Sequence, residues 1–358
     1  MKVAVAYEPR QPLVLEDLPL PAVGLRDVVV RIGARGICHT DLTVVDGLSA
    51  LPLPIVPGHE ACGIVEEVGD EVRRVRPGDR VLASVSPACG ACWSCLNGMS
   101  NHCERGPSIV RTPRFALPDG RTAIALCGCG AFAEAMVVDE ASVVPVETQL
   151  PDEQLALLGC GVTTGLGAAL FTAGVRPGST VAVIGCGGVG QAVIQGASIS
   201  GAARVVAIDP VASRREASRR VGATHTVDPG EGDPVEQVRA LTSGRGADYT
   251  FEVVGLPELM VQAYEMSRVE GTVTLVGMPP AGSTITLAAS SAVFSGRRLV
   301  GSALGGAQIL RDFPRFIELA ESGRLDLASL VSRRITLDEV NEGLAELSRS
   351  EGLRTVIV

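Results

Sequence analysis

Hydrophobic and polar residues change their rhythm partway along the chain. Through about residue 150 they form short alternating runs broken by Pro and Gly. Examples are Val28-Val29-Val30-Arg31-Ile32, Gly63-Ile64-Val65-Glu66-Glu67-Val68 and Asp79-Arg80-Val81-Leu82. Alternation with a period of two predicts half-buried strands, hence an irregular β-rich domain. From about residue 152 the texture differs. Thr180 to Ile184 reads as a buried strand, a glycine turn follows, and Gly190 to Ser200 reads as a helix. Next come a strand (Arg204 to Ile208), a charged helix (Ser213 to Val221), the run Thr224-His225-Thr226-Val227, a helix (Val235 to Thr242) and a strand (Ala247 to Glu252). Strand and helix in alternation predict βαβ units and a parallel sheet. Helical patterns at Phe313 to Glu321 and Leu337 to Leu347 lead to a last strand, Arg354 to Val358.

Composition narrows the function classes. The chain has 358 residues, which suggests two domains. It is 46% hydrophobic and 20% charged, which disfavours disorder. A net charge of -9 disfavours a phosphate-backbone partner, so no nucleic acid is expected. Two stretches, Leu155 to Val175 and Pro177 to Ala203, carry no charge. Length alone would let either span a membrane. Their glycines and threonines, and the change of period within the second, fit buried elements better. Glu8 interrupts the N-terminus before an apolar run can form, so no secretion leader and a cytoplasmic setting are expected.

Ten cysteines then demand an account. Cys89, Cys92, Cys95 and Cys103 fall within fifteen residues, and four thiolates so spaced can wrap a tetrahedral zinc. An iron–sulfur cluster is the rival, but its fourth Cys normally follows sooner and precedes Pro. A second set is dispersed: Cys38, His59 in Gly58-His59-Glu60, and Cys160 in Gly159-Cys160-Gly161. Singly, each could be a core residue. Together, two Cys and one His leave a fourth position open, as at a catalytic zinc, and Asp41 could orient an imidazole. The remaining Cys62, Cys127, Cys129 and Cys186 read as small fillers rather than a redox pair.

Gly185-Cys186-Gly187-Gly188-Val189-Gly190 fits G-x-G-x-x-G between a strand and a helix, the setting of a dinucleotide site. A purely structural turn is the alternative. Asp209, 24 residues after Gly185 and at the end of the next strand, is placed to hold ribose hydroxyls and to repel a 2′-phosphate, favouring NAD over NADP. Arg214, Arg215, Arg219 and Arg220 read as a solvated helix face, with Arg214 also within reach of the adenosine ribose.

The motifs Gly36-Ile37-Cys38-His39-Thr40-Asp41, Pro57-Gly58-His59-Glu60, the four-Cys lobe, Gly159 to Gly165 and Gly185 to Gly190 occur in an order that resembles the zinc-dependent medium-chain alcohol dehydrogenases. The resemblance runs to Val340-Asn341-Glu342-Gly343 and Leu353-Arg354-Thr355. It implies an α/β protein: a GroES-like β-rich catalytic domain (1–161), a Rossmann domain with a doubly wound parallel sheet (162–303), and a C-terminal segment (304–358) returning to the first. It also implies site roles. Cys38, His59 and Cys160 would bind the catalytic zinc with Glu60 behind it, giving two zinc ions per chain. Thr40 would meet the substrate oxygen and start a proton relay. His39 and Arg354 would approach the cofactor pyrophosphate, Thr164 and Val189 would press the nicotinamide, and Val276 would also touch the cofactor. The implied reaction interconverts an alcohol and its aldehyde or ketone, in a homodimer or homotetramer.

Three departures shape the substrate expectation. Thr43 stands where many relatives place a proton-passing His. The segment from Cys103 to Phe132 looks shorter than in mammalian-type enzymes. Gly47-Leu48-Ser49-Ala50-Leu51-Pro52-Leu53 is apolar where glutathione-adduct formaldehyde dehydrogenases carry acidic residues. Val85 and Leu126 fall at pocket positions often taken by large aromatics, so an apolar, bulky or aryl alcohol is expected. A polyol or thiol-adduct formaldehyde dehydrogenase is the alternative within the superfamily, although polyol enzymes often use Glu in place of Cys160. A non-catalytic zinc- and nucleotide-binding regulator is the alternative outside it.

Overall fold

The computed structural model describes every residue except Ala50, so the apolar stretch from Gly47 to Leu53 is described apart from that position. The chain divides into two compact units. One comprises Met1–Gly161 and Gln308–Val358, the other Val162–Ala307.

The first unit is built on a seven-stranded sheet. Its spine is the long strand Asp27–Gly36, which pairs antiparallel with Glu60–Val68 and with Ala135–Asp139. The C-terminal strand Arg354–Ile357 also pairs with this spine, Val356 opposite Gly36, and carries Val331–Ile335 on its far side. The last segment of the chain thus completes the sheet begun by the first. Ile37, Phe132, Ile335, Val340, Leu344 and Ile357 share one core beneath it. The anticipated helix from Leu337 to Leu347 is a 3-10 turn, Leu337–Glu339, followed by the helix Val340–Ser348. Thr336 and Glu339 cap that turn reciprocally, which sets the kink.

The second unit holds six parallel strands in the order His225–Val227, Arg204–Ile208, Thr180–Ile184, Ala247–Glu252, Ser267–Leu275, Arg298–Gly301. Both faces are covered. Val181, Val183, Val205, Ala207 and Phe251 pack on one, and Ala182, Ile184, Val206, Ile208 and Val273 on the other. Two-sided burial explains why the central strands Thr180–Ile184 and Arg204–Ile208 read as nearly unbroken apolar runs. Strand order reverses beside Thr180–Ile184, so the carboxyl ends of Thr180–Ile184 and Ala247–Glu252 form the crevice where such sheets bind ligands.

Residues 304–307 lie with this second unit rather than with the C-terminal segment. Gly305 adopts φ +67, and an added Cβ would stand 2.6 Å from the Thr163 carbonyl and 2.7 Å from the Gly167 Cα, so the turn is pressed onto the helix Gly161–Gly167. No single helix among the described residues is long and apolar enough to cross a membrane.

Candidate active site

Register brings the dispersed donors together. Gly36 and Glu60 are partners across two antiparallel strands, so Cys38, just past the first strand, and His59, just before the second, emerge at the same end. Cys38 is the N-cap of the helix His39–Val45. Cys160 arrives at the end of the turn Ala156–Gly159. Gly159 permits that approach, because a Cβ there would sit 2.8 Å from the Ala83 carbonyl and 3.2 Å from the Glu60 Cα. The ligand atoms of Cys38, His59, Glu60 and Cys160 all lie within 4.8 Å of one another.

Asp41 organises this cluster. It is fully buried. One carboxylate oxygen accepts the Cys38 N–H at 2.9 Å. The other accepts the Gly58 N–H at 2.8 Å and takes His59 Nδ1 at 3.0 Å. With the Nδ1 proton directed at Asp41, His59 Nε2 keeps its lone pair, and that atom is buried with no hydrogen-bond partner. An orphaned imidazole nitrogen between two thiols fits a zinc ion, which would take the three donors and keep a further position open. With no metal ion bound, burial opposes a charge on His59, yet Asp41 and the two thiols would raise its pKa well above the ordinary value, so a metal at Nε2 would displace that proton. The Cys38 thiol is drawn well below its usual value by Cys160 and, against burial, by His59.

Glu60 lies behind the donors, fully buried, with Oε1 accepting the Gly161 N–H at 3.0 Å and Oε2 paired with Arg354. Burial pushes its carboxyl up to about 7 despite that arginine. Arg354 is only 5% exposed and its guanidinium pairs with Glu60, so it partners that buried carboxylate. His39 is exposed. The Thr40 hydroxyl lies 4.0 Å from Cys38 Sγ, whereas Thr43 spends its hydroxyl proton on the His39 carbonyl at 2.8 Å. Val85 is half-buried. Leu126, expected in the substrate pocket, is 1% exposed and packs with Ile37, Val44 and Phe132 in the core. Its neighbour Cys127, half-buried with φ +53, is the residue of that segment left nearer the surface. Cys62, Cys129 and Cys186 are buried fillers, each at most 1% exposed.

The four-Cys lobe is a separate centre. Cys89 and Cys95 sulfurs are 3.9 Å apart, and those of Cys92 and Cys103 are 4.0 Å apart. A tetrahedron with Zn–S bonds of about 2.3 Å has sulfurs about 3.8 Å apart, so the set fits zinc. N–H groups of Cys95 and Glu104 draw the Cys92 thiol down to about 6, as suits a thiolate ligand.

In the second unit the glycine turn occupies the crevice. Gly185 has φ +91, Gly187 caps the helix Gly188–Ile199, and an added Cβ at Gly190 would strike the Gly185 carbonyl. Gly165 is needed in the same way, since a Cβ there would strike the Val189 carbonyl and come within 2.7 Å of Ala192 Cβ. Thr164 flanks that close approach and Val189 forms it, and both are half-buried. Val276 follows the strand Ser267–Leu275 and donates its N–H to the Glu252 carbonyl at 2.8 Å. Asp209 is 3% exposed and accepts the N–H groups of Cys186 and Val211, both at 2.8 Å. Arg214 holds a guanidinium nitrogen 4.0 Å from where a Gly187 Cβ would be. Arg215 is committed elsewhere, to the Asp209 carbonyl at 2.6 Å and to Asp228 at 2.7 Å. Two buried polar residues, Gln191 and Glu252, escaped the sequence reading. Gln191 left one signal, a polar residue inside an otherwise apolar helical run.

Comparison with known proteins agrees with both units. Residues 24–148 match the alcohol dehydrogenase GroES-like domain and residues 188–322 match the zinc-binding dehydrogenase family. An NDMA-dependent alcohol dehydrogenase of Amycolatopsis methanolica is 36% identical over all of this chain and 98% of its own length. Among solved structures, benzyl alcohol dehydrogenase from Acinetobacter calcoaceticus superposes with a TM-score of 0.93 at 29% identity, covering 99% of this chain and 98% of that one. A zinc-binding dehydrogenase from Sinorhizobium meliloti bound to NADP gives 0.83 at 27% identity, covering 100% and 98%.

Proposed function

The chain belongs to the zinc-dependent medium-chain alcohol dehydrogenases and is an alcohol dehydrogenase; from that premise we propose that it oxidises an apolar, aryl-bearing alcohol with NAD as the hydride acceptor. The observation that carries the site assignment is the orphaned His59 Nε2 held between Cys38 and Cys160.

When bound, zinc supplies Lewis acidity that makes an alcohol easier to deprotonate, and the dinucleotide supplies the acceptor for its hydride. The residues of the chain do the rest. Asp41 fixes the Cys38 backbone, the Gly58 backbone and the His59 tautomer at once, so the donor set is ordered beforehand. The Thr40 hydroxyl takes the substrate proton while giving up its own. Thr43 is poorly suited to continue the relay, because its proton already serves the His39 carbonyl, so exposed His39 is the better terminal base.

Asp209 at the end of its strand supports NAD over NADP, since a carboxylate there would repel a 2′-phosphate, and Arg215 is tied to Asp228 and the Asp209 carbonyl. The apolar stretch from Gly47 to Leu53, half-buried Val85 and the likeness to a benzyl alcohol dehydrogenase support an aryl substrate. Six of the ten cysteines sit in the two metal-ligand sets, and thiolate ligands suit a reducing compartment such as the cytoplasm. A second reading is favoured by the Amycolatopsis relative: the chain needs NDMA, rather than free NAD, as its acceptor.

One set of assays tests these readings. Purified protein is given benzyl alcohol or ethanol with NAD, NADP or NDMA. We expect kcat/KM to favour benzyl alcohol, and NAD over NADP by at least about tenfold, roughly 1.4 kcal/mol. Equal rates with NAD and NADP contradict the Asp209 argument, and turnover seen only with NDMA selects the second reading.

A further inference from the structure

Gln191 is fully buried in the first turn of the helix Gly188–Ile199. Its side-chain Nε2 lies 2.8 Å from the Cys186 carbonyl, 2.9 Å from Ser218 Oγ and 3.1 Å from the Arg214 carbonyl. Ser218 Oγ donates to that same Arg214 carbonyl at 2.8 Å. The two Nε2 hydrogens are shared among these three acceptors, which orients the amide, and its Oε1 is left buried with no partner among the described residues. A leucine would not strand an amide oxygen but would leave the Cys186 carbonyl without this donor, so the glutamine trades one unpaired atom for a held carbonyl. What it fixes accounts for it.

Cys186 is held from both sides. Its N–H donates to Asp209 at 2.8 Å and its C=O accepts from Gln191. In a planar trans peptide the C=O and the following N–H point in opposite directions. Drawing the Cys186 carbonyl inward therefore turns the Gly187 N–H outward, toward the space over the turn where an anion would lie. The same amide anchors the Arg214 backbone, and with it the guanidinium poised over Gly187.

We propose that Gln191 is a positioning residue for the dinucleotide, presetting the Gly187 N–H and the station of Arg214 before the cofactor arrives. This rests on the reading above that the glycine turn receives a nicotinamide dinucleotide. A preset turn lowers the ordering cost of binding and leaves the chemistry at the other unit's donors untouched.

The test is a fluorescence titration of the purified protein with NADH and NADPH, beside steady-state kinetics. Gln191→Met keeps the volume and removes the donor. It should raise the NADH dissociation constant about tenfold while kcat at saturating NAD stays within about twofold. Ser218→Ala removes one acceptor and should weaken binding less, about threefold. In the double variant the losses should fall short of their product, because both act on one network. If Gln191→Met cannot be purified folded, the Ser218→Ala loss decides alone. NADH binding that is unchanged in the folded variants overturns the role of Gln191 while leaving the dinucleotide site standing. Wild-type protein that binds neither NADH nor NADPH, and releases no dinucleotide on denaturation, overturns the underlying reading, and this inference with it.

Discussion

At the scale of single residues, function here depends on polar groups that burial would ordinarily penalise. The Thr40 hydroxyl is one test. A hydroxyl accepts one proton while releasing another, and alanine cannot, so Thr40→Ala should lower kcat by about 10²-fold, as loss of acid–base assistance does. Thr40→Ser should keep most of the activity; near-normal kcat for the alanine variant would mean that water carries the proton. Glu252 gives a pH test away from the donors. It is fully buried, its Oε1 accepts the Val254 and Gly255 N–H groups at 2.8 and 2.7 Å, and its Oε2 has no partner. Burial raises its pKa against the pull of those N–H groups. A carboxyl raised on folding stabilises the fold fully below its unfolded pKa, about 4.3, and loses that contribution as pH rises through its folded value. Glu252→Gln should therefore melt above wild type at pH 7, with the gap closing toward pH 4. A gap independent of pH would show that the effect comes from packing instead.

At the scale of elements, legibility depended on burial and spacing. The strands Thr180–Ile184 and Arg204–Ile208 were readable to the residue because two-sided burial makes them nearly all apolar, and Ala247–Glu252 because it continues the alternation of strand and helix. The four-Cys lobe was readable because one loop carries all four donors. The open donor set was readable only as a pattern, since it depends on Gly36 pairing with Glu60 across two strands. Three features were invisible. Leu126 and Cys127 differ in outcome because the chain takes φ +53 at Cys127, which no spacing announces. Arg354 meets Glu60 only because the last strand joins the first sheet. The turn at Gly305 depends on a close approach to Gly167. The two cysteine sets also predict opposite failures. Metal analysis should find two zinc ions per chain. Cys38→Ser should lose one zinc and the activity with little change in melting temperature, because strands on either side already hold that site. Cys95→Ser should lose the other and lower the melting temperature, because the lobe has only short helices of its own and the metal contributes its folding energy. Stoichiometric iron, or a single zinc in the wild type, would overturn the assignment.

At the scale of the whole molecule, the parallel sheet ends in an exposed strand. Among the described residues, Arg298–Gly301 pairs with Ser267–Leu275 on one side and with no strand on the other. Uncovered edges invite pairing with another chain, and natural sheets usually blunt them with charge or shield them. Here the edge carries Leu299 at 39% exposure, and the helix just before it, Ala289–Ser295, presents Val293 at 74% and Phe294 at 85%. An exposed phenylalanine and valine beside an open edge form an apolar patch of the kind that marks an interface. A second copy of the same chain is the simplest occupant, because a two-fold axis would bring the same strand antiparallel to itself and repeat each contact. We therefore expect a homodimer, or a tetramer built from such dimers, by light scattering at micromolar protein. Phe294→Asp places a charge in the patch without touching the cores of either unit, and Leu299→Asp does so on the strand itself. Either should shift the protein toward monomer while zinc content and the single-chain fold persist. If the wild type is monomeric at those concentrations, or if both variants assemble as the wild type does, this edge is not where copies meet.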